Sequence, residues 1–372
     1  MTRPDPAGAA GARDRTATEP AGPAPLGPAP LRRLVEAMPK AELHLHLDGS
    51  LLVATALEIA VSRGIDAPRD WAGMFDRLVG PAHGASQDEL LDRFDLPVAL
   101  MQDAEALSRI AADLVATKAA ENVRYAEIRW APTLHLAKGL PLRDGIAAVV
   151  RGGNEAAARA GIEVRWICTA LRSHSPELAV AAAEASASFR DEGLVGFDLA
   201  GREERHPDPA PFLRAYEAAR AGGLRATIHA GEWGGAAQVR RALAVSPERI
   251  AHGPGAIDDP GLCRELIERG VTLDLCPTSN VQAAIAPSVA AHPLARLRRA
   301  GVPVTLSTDD LTVSDTTLSE EYARAVTEIG LTLPELWATN LHALDVAFAD
   351  APVRARLRAE FEAWGAGIAE LA

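Results

Sequence analysis

The chain has 372 residues, a formal net charge of −12 and an apolar fraction of 48%. This length could hold two average domains, but α/β barrel enzymes routinely use it for a single domain. Binding to a nucleic-acid backbone normally requires a basic stripe on the protein surface. The acidic balance therefore disfavours a nucleic-acid backbone as a partner and favours a small neutral or cationic ligand.

The cysteines and the apolar runs bear on the compartment. Cys168, Cys263 and Cys276 are an odd number of isolated thiols without CxxC spacing, which argues against a disulfide framework and a structural zinc knuckle. No run approaches the ~18–20 apolar residues that span a bilayer, and the N-terminus has no apolar signal core. We therefore expect a cytoplasmic protein that has no membrane partner.

Residues 1–30 are rich in Ala, Pro, Gly and Thr and contain almost no bulky apolar side chains. Such a segment cannot bury enough surface to offset the entropy lost on ordering. We predict a disordered tail over residues 1–30 and a single folded domain over residues 31–372. A targeting or partner-binding arm is the alternative, but no amphipathic periodicity supports it.

From residue 31 onward, apolar runs of strand length alternate with segments of helical period rich in Ala, Leu, Arg and Glu. Helices between the later runs are predicted over residues 236–244, 261–268 and 293–299. Alternation of strand and helix implies parallel pairing through crossovers. Eight strands are predicted, over residues 42–47, 124–130, 163–170, 194–199, 226–229, 249–252, 272–276 and 302–308.

Eight such units predict an α/β fold of one (β/α)8 TIM-type barrel, with its site at the carboxyl ends of the strands. An open doubly wound sheet is the competing architecture, but it ordinarily has a glycine-rich phosphate turn after the first strand. The string HLHLDGS stands there instead. A long insertion follows the first strand over residues 52–122, with helices predicted at 88–101 and 103–120. These helices either roof the pocket or merely lengthen the domain.

Four short strings, HLHLDG, HAGE, AHG and STDD, each close an apolar run with imidazole or carboxylate groups. In a strand, residues i and i+2 face the same side, so His44 and His46 can present two imidazoles to one ion. A lone pair of this kind is more often an ordinary surface or core pair. Together with His229 and Asp309, it indicates a metal site assembled from distant segments.

Three imidazoles and one carboxylate suit a catalytic zinc ion that keeps one position open for water. Such an ion lowers the pKa of its bound water toward neutrality. Two-metal sites often use a carbamylated lysine on a middle strand, but residues 194–201 contain no lysine. The sequence therefore predicts one Zn2+ per chain.

Other groups at the strand ends suit acid–base chemistry. Glu232 lies three residues after His229 and suits a proton donor to a ring nitrogen, although a glutamate in a loop is often just salt-bridged. His252 would lie beside the ion as another ligand or as the base that orients water, and we favour the base. Asp309 and Asp310 are consecutive, so their side chains diverge and one can bind metal while the other meets substrate.

The remaining thiol and imidazole groups have no assigned chemistry. Cys276 is interpreted as a small buried hydrophobic residue rather than a ligand. The other histidines share no motif and are interpreted as surface or core residues: His83, His135, His174, His206, His292 and His342.

These residues together resemble the adenosine deaminase family of metal-dependent amidohydrolases, over about residues 39–344. The strings PKAELHLHLDGSL, NVRYAEIRWAP, GFDLAG, HAGE, AHG, CPTSN and STDD occur in the family's order. The resemblance implies a barrel fold and hydrolytic deamination of adenosine and 2′-deoxyadenosine to inosine or deoxyinosine and ammonia. The implied zinc ligands are His44, His46, His229 and Asp309.

The resemblance also implies individual roles around the purine. Glu232 would donate a proton to N1, and His252 would orient hydroxide. Asp310 would hold N7, the backbone N–H of Gly201 would reach N3, and Asp48 would bind the ribose 5′-hydroxyl. His46 would contact the substrate as well as the metal.

Two departures from the family pattern bear on substrate choice. Trp233 directly follows the acid, and Leu311 stands where relatives often have proline. Both are expected to flank the pocket. The alternative substrates are aminodeoxyfutalosine, adenine or an N6-modified adenine nucleotide. A catalytically inactive purine-binding protein is the alternative from another class, but the complete set of ligands, Glu232 and His252 argues against it.

Overall fold

The structure is a computed structural model that describes residues 26–371. Residues 1–25 of the predicted tail lie outside the described residues. The first helix, α1, spans Pro28–Ala37, so the described fold begins before the predicted boundary at residue 31. Proline at the first turn suits this start because its fixed φ matches the helix and its missing N–H has no intrahelical partner there. Leu31 and Val35, four residues apart, form the buried face of α1.

Eight parallel strands follow one another in sequence order around a single sheet in residues 26–371. The sheet closes because Leu45 forms a parallel bridge with Asp309 after the last strand. The predicted (β/α)8 TIM barrel is therefore confirmed. The strands are β1 Lys40–His46, β2 Val123–Trp130, β3 Glu163–Leu171, β4 Leu194–Ala200, β5 Arg225–His229, β6 Arg249–Ala251, β7 Thr272–Leu275 and β8 Val304–Leu306.

Three strands, β6, β7 and β8, are shorter than predicted, and the reason is identifiable for two of them. Strand β6 ends at Ala251 because His252 adopts φ 68°, a left-handed conformation that cannot continue a strand. Strand β8 begins at Val304 rather than residue 302 because Pro303 has no N–H to donate to a neighbouring strand.

Helices surround the barrel. Before β2 they are α1, α2 Val53–Arg63, α3 Trp71–Leu78, α4 Gln87–Leu91, α5 Asp95–Leu100 and α6 Ala104–Ala120. Between β2 and β8 they are α7 Leu142–Ala160, α8 Pro176–Ala187, α9 Leu213–Ala221, α10 Gly235–Ala242, α11 Pro260–Arg269, α12 Pro277–Gln282 and α13 Leu294–Arg299. After β8 they are α14 Leu318–Thr327, α15 Leu333–Val346 and α16 Ala351–Gly365. Three of these helices, α4, α5 and α12, lie beside a cavity at the carboxyl end of the barrel. No helix within residues 26–371 is long and apolar enough to cross a bilayer.

The helix predicted over residues 88–101 is wrong as a single element, because a 3-10 turn at Asp92–Phe94 separates α4 from α5. Pro97 accounts for the break, since it cannot donate to a carbonyl four residues earlier but is tolerated in the first turn of a new helix. Ser86 starts α4 with a capping box to Glu89. The break turns the segment over the carboxyl end of the barrel.

Candidate metal centre and active site

Four side chains predicted as metal ligands converge at the carboxyl ends of β1, β5 and β8. His46 ends β1 and His229 ends β5, and their Nε2 atoms are 3.0 Å apart. Asp309 Oδ1 lies 2.9 Å from His44 Nε2 and 3.3 Å from His46 Nε2. The barrel thus brings together groups separated by up to 265 positions in the sequence.

His252 also lies at this cluster. One ligand atom from each of His44, His229, His252 and Asp309 fits within 4.8 Å of the others. His252 Nε2 is 3.7 Å from Asp309 Oδ2 and 3.7 Å from Glu232 Oε1. Position alone therefore allows His252 to be either a ligand or a neighbour of the reacting water.

The hydrogen bonds behind the imidazoles suit a bound cation. His229 Nδ1 lies 2.9 Å from Asp198, and this carboxylate requires a proton on Nδ1, which leaves the Nε2 lone pair facing the cluster. Burial lowers the pKa of His44, and the nearby Arg129 lowers it further, so its ring is neutral. Burial likewise lowers the pKa of His46 to about 3. Neutral imidazoles facing a buried carboxylate at hydrogen-bond distance are the donor set of a zinc-type ion.

The backbone at this cluster is strained, and hydrogen bonds to β1 hold it in place. Asp309 has φ 69° and His252 has φ 68°, values that are uncommon for residues with a Cβ. The backbone of Asp309 bonds to β1 on both sides, donating to His44 O at 3.1 Å and accepting from His46 N at 2.7 Å. Ser279 Oγ donates to Asp309 Oδ2 at 2.7 Å. These bonds hold a conformation that costs of order 1–3 kcal/mol, which is typical of functional sites.

Glu232 lies on the turn that follows β5, and a second carboxylate holds this turn. Glu203 is 3% exposed and accepts from Gly231 N at 2.8 Å and from Trp233 N at 2.9 Å. Burial raises the pKa of Glu232 well above its ordinary value, and Asp309, Glu203 and Asp310 raise it further. These effects favour the protonated form of Glu232, which suits a proton donor.

A cavity of about 410 Å3 opens above the cluster and includes Glu232 in its wall. Residues of the insertion line one side, namely Leu90, Leu91, Phe94, Asp95 and Val98. The insertion is predicted either to cover the pocket or merely to lengthen the domain. Its helices α4 and α5 cover the pocket. Trp233 lines the cavity as expected, but Leu311 does not, because its partly buried side chain packs against the main core.

The three residues expected to bind substrate through the purine or ribose also line this cavity. Asp48 Oδ1 and Asp310 Oδ1 are buried and have no hydrogen-bond partner within residues 26–371. Burial raises the pKa of Asp48 to about 6, and burial together with Asp309 and Asp48 raises that of Asp310 well above its ordinary value. Gly201 adopts φ 96°, a conformation that favours glycine.

Gly49 is required for the position of Asp310. A Cβ at Gly49 would lie 1.6 Å from Asp310 Oδ1, so no larger residue fits while Asp310 points into the cavity. Thr312 N and Val313 N donate to Gly49 O at 3.1 and 3.0 Å. The DGS and STDD strings are therefore parts of one bonded unit.

Sequence reasoning missed Asp198, Ser279 and Asn280, which contact the cluster, and Glu203, which holds the turn that carries Glu232. Asp198 is a lone acid in the otherwise apolar β4, and that contrast could have indicated it. Ser279 and Asn280 lie within the CPTSN string, which was noted only as part of a pattern. Cys276 is fully buried, with Sγ 3.5 Å from His44 Nδ1, as expected of a packing residue.

Comparisons with known proteins agree with the fold and identify a family. The sequence profile of the family described as adenosine deaminase matches residues 39–364. Adenosine deaminase of Clostridium perfringens is 36% identical, with 86% of this chain and 97% of the relative covered. That of Mycolicibacterium gilvum is 38% identical, with 86% and 93% covered.

Solved structures place related deaminases on the same barrel. An amidohydrolase from Burkholderia ambifaria with bound zinc is 29% identical, with a TM-score of 0.83 and 95% and 97% of the two chains covered. Adenine deaminase from Arthrobacter aurescens is 27% identical, with a TM-score of 0.81 and 88% and 99% covered. Arabidopsis N6-mAMP deaminase is 31% identical, with a TM-score of 0.78 and 89% and 99% covered. This chain therefore belongs to the adenosine deaminase family.

Proposed function

We propose that the protein is a zinc-dependent hydrolase that deaminates adenosine and 2′-deoxyadenosine to inosine and deoxyinosine. One observation carries the proposal: a buried acid of raised pKa, Glu232, shares a cavity with a cluster of neutral imidazoles and Asp309. Attack on C6 of adenine needs both a nucleophilic oxygen and a proton for N1. The oxygen of one water goes to C6, and the amino group leaves as ammonia.

His44, His46, His229 and Asp309 would hold the ion. When bound, a zinc-type ion lowers the pKa of water enough to supply hydroxide at neutral pH. Glu232 holds the proton that N1 receives as the oxygen adds to C6. The raised pKa of Asp310 favours its protonated form, which can donate to an acceptor such as purine N7.

The charges along the cavity favour a nucleoside over a nucleotide. The carboxyl groups of Asp48 and Asp95 line the cavity, and a phosphate would add about 1.5 to 2 negative charges beside them. Arg202 is the one arginine in this lining, and it already pairs with Asp88. A ribose hydroxyl, in contrast, can bond to the unpartnered Asp48 Oδ1.

A substrate panel tests this assignment. We expect kcat/KM for adenosine to exceed that for adenine, AMP, N6-methyl-AMP and aminodeoxyfutalosine, measured as loss of the adenine absorbance band. A rate for another member that is orders of magnitude higher than for adenosine would reassign the substrate. Binding of adenosine by the zinc-loaded protein without release of ammonia would mean that the fold is used for binding alone.

Glu232→Gln tests the proton donor. The amide keeps the size of the side chain but cannot give up a proton, so kcat should fall by at least the 10²- to 10⁴-fold that general acid catalysis typically supplies. Zinc content and affinity for an unreactive purine ribonucleoside should stay the same. Glu204→Gln, at an exposed neighbour of Glu203, is the control and should keep the wild-type kcat. Loss of zinc from Glu232→Gln would make Glu232 a ligand, and a normal kcat would move the donor role to Asp310.

A further inference from the structure

Asn280 lies between two buried histidines at the edge of the metal cluster. It belongs to α12 and is 0% exposed. Its Nδ2 is 3.1 Å from His252 Nδ1, and its Oδ1 is 3.1 Å from His292 Nε2. His292, 4% exposed, bonds in turn through Nδ1 to the backbone N–H of Leu294 at 3.3 Å.

A single backbone amide determines which atom donates and which accepts in every hydrogen bond of this series. The N–H of Leu294 can only donate, so Nδ1 of His292 accepts and carries no proton. Burial lowers the pKa of His292 to about 3, so the ring is neutral and its one proton lies on Nε2. That proton is donated to Asn280, whose oxygen must therefore face His292.

The same logic continues to His252. With its oxygen toward His292, Asn280 presents its NH2 group to Nδ1 of His252. An amide NH2 only donates, so Nδ1 of His252 accepts. The proton of the neutral His252 ring is then on Nε2, which faces Asp309 and Glu232 at 3.7 Å each.

We propose that Asn280 and His292 are positioning residues that hold His252 in the Nε2–H tautomer, which makes it a hydrogen-bond donor to the attacking oxygen and not a metal ligand. In this tautomer neither ring nitrogen has a free lone pair, since one accepts from Asn280 and the other is protonated. The ligand set then remains His44, His46, His229 and Asp309. The inference rests on the proposed function, since it assigns His252 a role in that reaction.

The tautomer can be read directly by NMR of the zinc-loaded protein with 15N-labelled histidine. The His252 signals are assigned from the spectrum of His252→Ala. We expect a protonated Nε2 and an unprotonated Nδ1. A protonated Nδ1 in the wild-type protein overturns the proposal whatever the substrate is, so this measurement separates its failure from failure of the proposed function.

Asn280→Asp should reverse the tautomer. A carboxylate of the same size accepts from both histidines, so it draws the proton of His252 to Nδ1. We expect kcat/KM to fall about 10- to 100-fold, the usual effect of removing a partner that orients a metal-site histidine. Zinc content and affinity for an unreactive purine ribonucleoside should stay within twofold of wild type.

Asn340→Asp is the matched control, because Asn340 is 1% exposed and bonds to Pro39 O and Ala41 N far from the cluster. Both variants bury a new carboxylate and should lose stability, but only Asn280→Asp should lose turnover. His292→Ala provides a second test, since it frees Asn280 to rotate and should give a mixture of His252 tautomers. Wild-type kcat/KM in Asn280→Asp, or one unchanged tautomer in His292→Ala, would overturn the proposal.

Discussion

Two sets of buried polar groups share the inside of this barrel and differ in how they are paired. Toward the amino ends of the strands, Arg249 on β6 bonds to Glu127 on β2 across the barrel and to Asp274 on β7 at 3.0 Å. We call Glu127, Arg249 and Asp274, all 0% exposed, the charge layer. Toward the carboxyl ends, the metal cluster has buried acceptors facing one another. Beside it, Asp48 and Asp310 each have a buried carboxylate oxygen without a hydrogen-bond partner in residues 26–371.

The difference separates groups that support the fold from groups that await a ligand. In the charge layer each charge has an opposite charge beside it, and Asp274 also accepts from Thr305 Oγ1 at 2.7 Å. Removing one member would leave an uncompensated buried charge. At the cluster a ligand would complete the pairing. We therefore expect substitutions in the first region to change stability and those in the second to change binding or turnover.

Asp198 connects the two regions through Arg129, whose Nη2 lies 3.9 Å from Asp274 Oδ2 of the charge layer. Asp198→Asn should have the largest effect on the metal. Asp198 bonds to Arg129 at 3.3 Å on one side and to His229 Nδ1 at 2.9 Å on the other. Asparagine keeps the shape but removes the charge that orients the imidazole and strengthens it as a donor. Zinc affinity should fall about 10- to 100-fold, as measured by competition with a chelator.

Asp191→Asn is the control for Asp198→Asn, because the Asp191 side chain is 97% exposed. It should leave zinc affinity unchanged. If Asp198→Asn binds zinc like the wild type, the carboxylate serves only the pairing with Arg129.

Arg249→Met should change stability but not chemistry. It removes the cation between Glu127 and Asp274, and breaking a buried pair costs roughly 3–5 kcal/mol. Urea denaturation should show this loss in the free energy of unfolding, while kcat/KM per bound zinc stays within twofold. Arg240→Met removes an exposed pairing with Asp259 and Glu265 and should lower the free energy of unfolding far less than Arg249→Met. A large fall in turnover for Arg249→Met would remove the distinction between the two regions.

The sequence predicts the barrel well because its strands are short apolar runs separated by helical segments. Their observed bounds differ from the predicted ones by at most two residues at either end. The helical pattern gives a wrong prediction where a single residue changes the backbone, as Pro97 does between α4 and α5. The predicted metal ligands could be picked out from the sequence because they lie at or just beyond the ends of strands. The series of hydrogen bonds from Leu294 through His292 and Asn280 to His252 could not be predicted. The donor and acceptor of each bond follow from contacts that sequence spacing does not encode.

Glu203→Gln should have a smaller effect, lowering both stability and turnover because it loosens the turn that carries Glu232. Glutamine keeps one acceptor for the turn that carries Glu232, but its NH2 group cannot accept from the second backbone N–H. An unsatisfied buried N–H costs about 1–3 kcal/mol, and 1.36 kcal/mol in the barrier is a tenfold change in rate. We expect kcat to fall about tenfold with KM within twofold, measured on adenosine beside Glu204→Gln. Equal kcat values for the two variants would show that the turn is held by other contacts.

The smallest effect is expected from shortening the chain before the barrel. Removing residues 2–25 should leave both kcat/KM and the unfolding temperature unchanged, because their composition offers little apolar surface to pack. Removing residues 2–35 also deletes Leu31 and Val35, which are 2% and 1% exposed and contribute about 1.5–3 kcal/mol each. It further removes Val35 O, which accepts from Lys40 Nζ at 2.8 Å at the start of β1. Because α1 lies at the amino end of the barrel, opposite the cluster, the longer deletion should lower the unfolding temperature while kcat/KM per folded chain stays the same. A loss of kcat/KM from the shorter deletion, measured at equal zinc content, would mean that residues 2–25 contribute to the site.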